Sequence, residues 1–225
     1  MEETIEVTGA GQIPHQRGDR LPDGGPLTEH AERYAEERHW DVFPGTWLEP
    51  TDGAVRCSCG DTGCALPGAH PAREDWAAQA TGSAQSVRRL WAKQPQSSIL
   101  LPTGRTFDAI DVPETAGFLA LARMERMDLT LGPVTVTPDR RMQFLALPGT
   151  AAQAPDLVRT LGWPPATLDL RPLGEGEWIA APPTRFGRSG AVQWACHPTA
   201  ANRWLPDADE LISPLAYACA RDRRI

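Results

Sequence analysis

The sequence predicts an α+β domain in which helices pack on a mainly antiparallel sheet. β-rich segments and segments with apolar residues at helical spacing follow one another in the order strand, helix, hairpin, helix, hairpin. Two of the β-rich segments fold back around turn sequences, which is typical of antiparallel pairing. Apolar residues make up 41% of the 225 residues, enough to bury a core in a chain of this length.

Charge and hydropathy exclude several classes of protein. The net charge of −7 argues against a protein that coats nucleic acid, because such binding uses many Lys and Arg to neutralise phosphates. A small basic groove on an acidic body stays compatible with it. No run of about 18 apolar residues occurs, so we expect no membrane span. The N-terminus lacks a basic stretch followed by an apolar core, which predicts a cytoplasmic protein without a secretory signal.

The N-terminal third predicts a tail, two helices and a long loop. Residues 1–26 are rich in Gly, Pro and charge and predict a flexible tail. We expect residues 27–225 to form one domain, and its first helix to use Thr28 as the N-cap. Residues 49–75 predict a loop dense in Gly, Pro and Cys, and Ser83 is placed to cap the next helix.

The middle of the chain predicts the strands "SSILLPTG" and "TFDAIDV". Side chains alternate along a strand, so Asp111 shares the face of Phe107 and Ala109. Asp108 lies on the opposite face, where we expect it to be solvated or paired with an arginine. A helix should follow over residues 115–128. The run "PVTVTPDRRMQFLALPG" then predicts a hairpin that turns at Pro-Asp.

The C-terminal third predicts a helix, a second hairpin, a strand and a final helix. Pro155 suits the first turn of a helix. The run "ATLDLRPLGEGEWIAAPPT" predicts a hairpin that turns at residues 174–176, and "GAVQW" predicts another strand. The last helix is expected to start at Asp207, with Pro214 kinking or interrupting it.

A cluster of cysteines lies in "CSCGDTGCALPGAH". Cys57, Cys59, Cys64 and His70 supply three thiolates and one imidazole, which suit a tetrahedral zinc ion. The alternatives are reduced thiols in a loop or a local disulfide. A cytoplasmic chain disfavours the disulfide, and Cys57 and Cys59 are poorly placed to pair across one residue. We therefore predict a structural zinc site in a loop over residues 57–70.

Six segments along the chain carry a resemblance to a known family. They are "AERYAEERHWDVFP", "CSCGDTGCALPGAHP", "DWAAQATGSAQSVRRLWAKQPQSSILLPTG", "FDAIDVPE", "GPVTVTPDRRMQF" and "LDLRPLGEGEWIAAPPTRFGRSGAVQW". In this order they resemble the N-terminal domain of bifunctional DNA primase/polymerases, of the archaeo-eukaryotic primase superfamily, over about residues 28–205. The resemblance implies that family's antiparallel sheet with packed helices and a zinc-binding insertion.

The resemblance implies template-directed nucleotidyl transfer with Mg²⁺ or Mn²⁺, acting on nucleotides and on single-stranded or primed DNA. In the family, two acids in a D-x-D spacing and a third acid hold the metals. Asp111 stands at the first acid and Asp169 at the third, which makes them the candidate catalytic and Mg²⁺- or Mn²⁺-binding residues. The second position is Pro113, which has no ligand atom. Glu114 follows it and would face the other way in a regular strand.

The family's phosphate-binding positions also differ here. Its histidine corresponds to Gln143, which can donate a hydrogen bond to a phosphate but carries no positive charge. Its Gly-Gly stretch corresponds to Arg140 and Arg141, which either contact phosphate or lie in a solvated turn. The best candidates for a small basic groove are three further arginines, Arg171, Arg185 and Arg188.

Two functions follow from these residues. Asp111 is either a metal ligand or a polar strand terminus, and Asp169 is either its partner acid or an exposed strand residue. In the first function, both acids hold a divalent metal, helped by Glu114 through a distorted strand end, and the protein is a primase/polymerase. In the second, the site is degenerate and the domain binds nucleic acid, a nucleotide or another protein. A weaker third hypothesis is a zinc-loop interaction protein with no nucleotide role.

Overall fold

The computed structural model describes residues 26–51, 53–200 and 204–222. The predicted tail, residues 1–26, lies outside this part of the chain apart from Pro26. The helices of the described ranges are α1 (Leu27–Arg38), α2 (Trp76–Gln79), α3 (Ala84–Lys93), α4 (Glu114–Arg126), α5 (Thr150–Thr160) and α6 (Ala208–Asp222). The strands are β1 (Phe43–Pro44), β2 (Leu48–Thr51), β3 (Ala54–Cys57), β4 (Ile99–Pro102), β5 (Asp108–Pro113), β6 (Val134–Thr137), β7 (Arg141–Ala146), β8 (Arg171–Leu173), β9 (Trp178–Ala180), β10 (Arg185–Phe186), β11 (Gly190–Ala191) and β12 (Gln193–Cys196).

The strands form two main sheets and two small hairpins. A five-stranded sheet has the order β12-β6-β7-β5-β8, and a three-stranded sheet has the order β1-β4-β9. The pairs β2–β3 and β10–β11 stand apart as hairpins. Every pairing among the described strands is antiparallel. The predicted α+β class with a mainly antiparallel sheet is confirmed.

The five-stranded sheet has a core on each face. On one face, Ile110 and Met142 pack under α4, α5 and α6, whose inner sides bring Met124, Val158 and Leu215 to the same cluster. The opposite face carries a second cluster formed with α1, α3 and the three-stranded sheet. Its members include Ala109 and Leu145 from the large sheet and Tyr34, Trp91 and Ile99 from the covering elements. Because side chains alternate, Asp111 lies on this second face, beyond Ala109.

Asp108 has a different environment from the predicted one. Its side chain is buried, and its Oδ2 accepts hydrogen bonds from the backbone N–H groups of Gly149 and Ala151, each at 2.8 Å. These donors belong to the first turn of α5, where unpaired N–H groups favour an acid. The prediction of a solvated or arginine-paired carboxylate was wrong, because its partner is a helix start about forty residues away along the chain.

The prediction for Pro155 was wrong, and so was the predicted interruption at Pro214, while the alternative of a kink at Pro214 stays a prediction. Pro155 lies inside α5 and not at its start, because the helix begins at Thr150, next to the N–H groups that Asp108 accepts. Pro214 lies inside α6, which continues to Asp222 without interruption. Burial of α6 against α4 and α5 outweighs the single hydrogen bond that each internal proline removes.

Three further expectations need correction. Pro26, and not Thr28, precedes the first residue of α1, and no side chain caps this helix. Residues 49–75 are not only a loop, since β2 and β3 form a hairpin within them. Strands β8 and β9 do not pair with each other, because β8 joins β5 and β9 joins β4. The expected cap of α3 is confirmed, since the Ser83 hydroxyl accepts from the backbone N–H of Ser86.

Two segments of the chain connect the two main sheets, one from β4 to β5 and one from β8 to β9, and these two segments contact each other. Thr103, after β4, donates its hydroxyl proton to the Gly174 carbonyl at 2.6 Å. Gly104 has a φ of +91°, and a Cβ there would come within 2.4 Å of the Glu175 backbone. Glycine at residue 104 permits this close approach, and the run around residues 174–176 links β8 of the large sheet to β9 of the three-stranded sheet. None of the described helices combines the length and the hydropathy of a membrane span.

Candidate functional site: an arginine between two acids

A row of polar side chains crosses four strands at the end of the second sheet face. The antiparallel register places Thr135 opposite Gln143, Gln143 opposite Asp111, and Asp111 opposite Arg171. Residues opposite each other in a ladder share a face, so these side chains lie side by side. Arg141, two residues before Gln143 on β7, pairs with Pro113. It therefore faces the position where the resemblance places a second acid.

The guanidinium of Arg141 bridges Asp111 and Asp169. Its Nε lies 2.7 Å and its Nη2 2.5 Å from Asp111 Oδ1. Its Nη1 lies 2.6 Å from Asp169 Oδ2. The Arg141 and Asp111 side chains are only 12% and 8% exposed, whereas Asp169 is 48% exposed. One fixed cation thus joins the two predicted catalytic acids at the edge of the core.

The remaining oxygen of Asp111 is also paired. Gln143 donates from Nε2 to Asp111 Oδ2 at 3.3 Å, and its Oε1 accepts from the Thr135 hydroxyl at 3.0 Å. Thr137 fixes the start of β7, because its hydroxyl both donates to the Arg141 carbonyl and accepts from the Arg141 N–H. The register of the β6–β7 hairpin therefore determines which side chains reach the carboxylate.

The electrostatics of the cluster favour a charged arginine. Burial raises the pKa of Asp111, against the hydrogen bonds from Arg141 and Gln143. The hydrogen bond from Arg141 lowers the pKa of Asp169. Burial works against the charge of Arg141, but its hydrogen bonds to Asp169 and Asp111 outweigh that effect and raise its pKa. The stabilisation that Asp169 provides is complete above the ordinary carboxyl pKa and is lost as the pH falls through the lowered value.

The other candidate residues are divided between this cluster and a second place in the fold. Arg171 Nε approaches Asp169 Oδ1 to 3.5 Å, so it belongs to the cluster. Glu114 begins α4 and contacts Arg140 Nε at 3.2 Å. Arg188 donates to the Gly53 carbonyl, and a groove beside the β2–β3 hairpin is lined by both Arg185 and Arg188. The three arginines predicted to form one basic groove therefore lie in two places.

The four predicted zinc ligands converge. The ligand atoms of Cys57, Cys59, Cys64 and His70 all lie within 4.8 Å of one another. His70 Nδ1 lies 2.9 Å from the Pro71 carbonyl, which leaves Nε2 for the sulfur side, 3.4 Å from Cys57 Sγ. Such an outer hydrogen bond is how proteins orient a metal-binding histidine. This Cys₃His cluster can hold a metal such as zinc.

The chemistry of the thiols fits a bound cation. Burial opposes ionisation of Cys57, but hydrogen bonds from the N–H groups of Cys59 and Gly68 outweigh it and lower its pKa to about 6. Burial and the neighbouring sulfurs raise the pKa of Cys64 to about 12. A cation is what allows all three thiols to be thiolates at once.

Comparison with protein families decides the identity of the fold. Residues 31–209 match the family model described as "Bifunctional DNA primase/polymerase, N-terminal". The chain belongs to this family. It is a primase/polymerase-like domain of the nucleotidyl-transfer type, which confirms the resemblance found in the sequence.

The chain was also compared with solved structures and with curated proteins. The polymerase domain of Mycobacterium tuberculosis ligase D, solved in complex with DNA, aligns with 88% of this chain and 88% of its own. The identity is 14% and the TM-score 0.37, so the family assignment does not rest on this likeness. No curated protein matches the chain.

Asp111 and Asp169 are the site acids predicted from the sequence, and the contacts of Arg141 with both of them were not predicted. Sequence reasoning treated Arg141 as a phosphate ligand or a solvated turn residue, whereas only Arg140 lies in the turn, with a φ of +64°. The missed signal was the hairpin register. A turn at residues 138–140 sets Arg141 directly opposite Pro113, where a long cationic side chain can reach Asp111.

We expect Arg141→Ala to lower the free energy of unfolding by about 3 kcal/mol, because it leaves the buried Asp111 carboxylate without its counter-charge. The loss should shrink as the pH falls, since burial raises the pKa of Asp111 and protonation removes the unpaired charge. Urea unfolding at several pH values measures this.

The matched control is Arg140→Ala, which breaks an exposed pair with Glu114 and should cost less than about 1 kcal/mol. Adding Asp111→Asn to the Arg141→Ala chain should recover part of the loss. Equal effects of the two arginine variants, or no recovery, would contradict the buried ion pair.

Proposed function

We propose that this primase/polymerase-family domain binds nucleic acid without metal-dependent polymerisation. The observation that carries the proposal is the Arg141 guanidinium, which lies between Asp111 and Asp169 where a divalent metal would have to bind. The acids of the site are thus engaged by a cation that belongs to the chain itself.

This site offers too few free oxygen ligands to a divalent metal. Nucleotidyl transfer uses metals that bridge the triphosphate and activate the attacking oxygen. Mg²⁺ and Mn²⁺ need several oxygen ligands, but Pro113 supplies none and both carboxylates are ion-paired. A metal that entered would have to displace Arg141, and a guanidinium that is 12% exposed would lose its partners.

A guanidinium replaces only part of what a metal does. It neutralises the acids and holds them in place through charged hydrogen bonds. It cannot coordinate a triphosphate or lower the pKa of a 3′ hydroxyl as a Lewis acid does. The proposed result is a site that keeps its geometry and loses its transfer chemistry.

Two exposed arginines beside the cluster support contact with phosphate. The side chains of Arg140 and Arg171 are 75% and 65% exposed, and they flank Arg141 on either side of the sheet end. Guanidinium groups bind phosphate oxygens through paired hydrogen bonds. We infer that single-stranded or primed DNA is the partner, with affinity that depends on salt.

A second candidate function is nucleotidyl transfer itself, with Mg²⁺ or Mn²⁺ held by Asp111 and Asp169. The observation that favours it is that Asp111 of β5 and Asp169 of the segment before β8 reach a single cation. In this case Arg141 would move to the incoming triphosphate and release the acids to the metal.

An incorporation assay distinguishes the two candidates. With zinc-loaded protein, a primed template, dNTPs and either Mn²⁺ or Mg²⁺, we expect no extension by the wild-type chain and none by the Asp111→Ala/Asp169→Ala variant. Anisotropy of a labelled single strand and of a primed duplex should show binding that weakens about tenfold in Arg140→Gln/Arg171→Gln.

The control for charge is Arg89→Gln, on the exposed side of α3 and away from the acid cluster. Extension that the double acid variant abolishes would establish the second candidate. If neither DNA substrate binds, or if Arg89→Gln weakens binding as much as the cluster variant does, the binding function proposed for this site is wrong.

We further propose that the metal of the Cys₃His cluster is zinc and that its role is structural. Four protein ligands fill a tetrahedral shell, and no ligand position is left for substrate. The ligands lie on β3 and the loop after it, so the ion would hold this loop against the rest of the domain.

Metal removal tests the zinc proposal. Elemental analysis should give one zinc per chain, and a strong chelator should lower the melting temperature by several degrees, because binding energy stabilises the folded loop. Cys64→Ser should reduce zinc content, whereas Cys196→Ser should leave it at one. A chain that melts at the same temperature with and without zinc would contradict a structural role.

A further inference from the structure

A second cleft lies away from the acid cluster, between the Cys₃His loop and the β10–β11 hairpin. Its volume is about 550 Å³, within the range of about 300–1,000 Å³ that small-molecule sites occupy. A backbone hydrogen bond of 2.8 Å from Gly187 to the Pro67 carbonyl ties the hairpin to the loop. The walls include Trp47, Leu48, Gly68, Arg185, Ala191 and Gln193.

The cleft and the ion pair of Asp111 with Arg141 involve different strands of the large sheet, because Asp111 and Arg141 belong to the inner strands β5 and β7. Gln193, which lines the cleft, belongs to β12, at one edge of the sheet. Arg171, at the acid cluster, belongs to β8, at the other edge. None of the described residues of the cleft is part of the Arg141 ion-pair network.

One wall of the cleft carries an indole held in place. Trp47 is half-buried, and its Nε1 donates to Glu49 Oε1 at 3.0 Å. Fixed aromatic rings are the surfaces on which nucleobases stack in proteins. Leu48 beside it makes this wall apolar, which suits a flat heterocycle.

The other polar groups of the cleft suit a phosphate and a base edge. Among the described residues of the walls, Arg185 alone is charged, so it is the group that can bind a phosphate. Gln96 and Gln193 each offer an amide with donors and an acceptor. Ser98 also lines the cleft, but its side chain is buried against Gly45.

We propose that this cleft binds a nucleotide, with its base against Trp47 and its phosphate at Arg185. The ligand is a base joined to a phosphate, either as a free mononucleotide or as one unit of a strand. The site does not depend on the fate of the acid cluster, since it shares no residue with that cluster and needs no divalent metal.

Calorimetric titration of zinc-loaded protein with AMP, without Mg²⁺ or Mn²⁺, tests the proposal. We expect one site, with adenosine and inorganic phosphate each binding at least about tenfold more weakly than AMP. Arg185→Gln should weaken AMP binding about tenfold, while Arg188→Gln, three residues along and outside the cleft walls, should leave it unchanged.

A labelled oligonucleotide that competes with AMP would identify a unit of a strand as the ligand, and lack of competition would identify the free nucleotide.

Three results would overturn the proposal. They are no binding of AMP, binding of inorganic phosphate as tight as that of AMP, and AMP affinity that Arg185→Gln leaves unchanged. The Arg140→Gln/Arg171→Gln variant, which tests the acid-cluster surface, should bind AMP normally. Failure at one site is therefore distinguishable from failure at the other.

Discussion

The buried carboxylate of Asp111 requires a positive charge beside it, and the site is organised around how that charge is supplied. The resemblance implies that a divalent metal ion supplies this charge in metal-dependent members of the family. Here Arg141 supplies it from the neighbouring strand, at 2.5 and 2.7 Å. The same guanidinium also contacts Asp169 at 2.6 Å, so two acids surround one cation. A protein-borne cation is permanent, and it lacks the coordination chemistry of a metal.

Strand β5 shows two solutions to the same physical problem on its two faces. Asp108 is stabilised by two backbone N–H groups at the start of α5, and this contact fixes a helix to the sheet. Asp111 is stabilised by a guanidinium at the open end of the other face, next to exposed arginines. Burial accounts for both pairings. Position alone makes the first a structural contact and the second a candidate functional site.

Local patterns predicted much of this structure, and distant contacts account for what they missed. The alternation around Asp111, the cap at Ser83 and the Cys₃His cluster depend on neighbours within a few residues, so the sequence contains them. The first N–H groups of α5 are bound by Asp108, and β8 and β9 join different sheets beside the contact of Gly104 with Glu175. The role of Arg141 depends on a hairpin register that brings it opposite Pro113. Each of these three features joins segments that are distant in the sequence, so a short stretch of sequence does not reveal it.

Mn²⁺ binding measured by electron paramagnetic resonance tests directly whether Arg141 takes the place of a divalent metal. Free Mn²⁺ gives a six-line signal that diminishes when the ion binds. If Arg141 fills the site, zinc-loaded wild-type protein leaves this signal unchanged. The Arg141→Ala variant should diminish the signal, and adding Asp111→Asn to that variant should restore it. Mn²⁺ binding by the wild-type chain that Asp111→Asn abolishes would show that Arg141 does not fill the site.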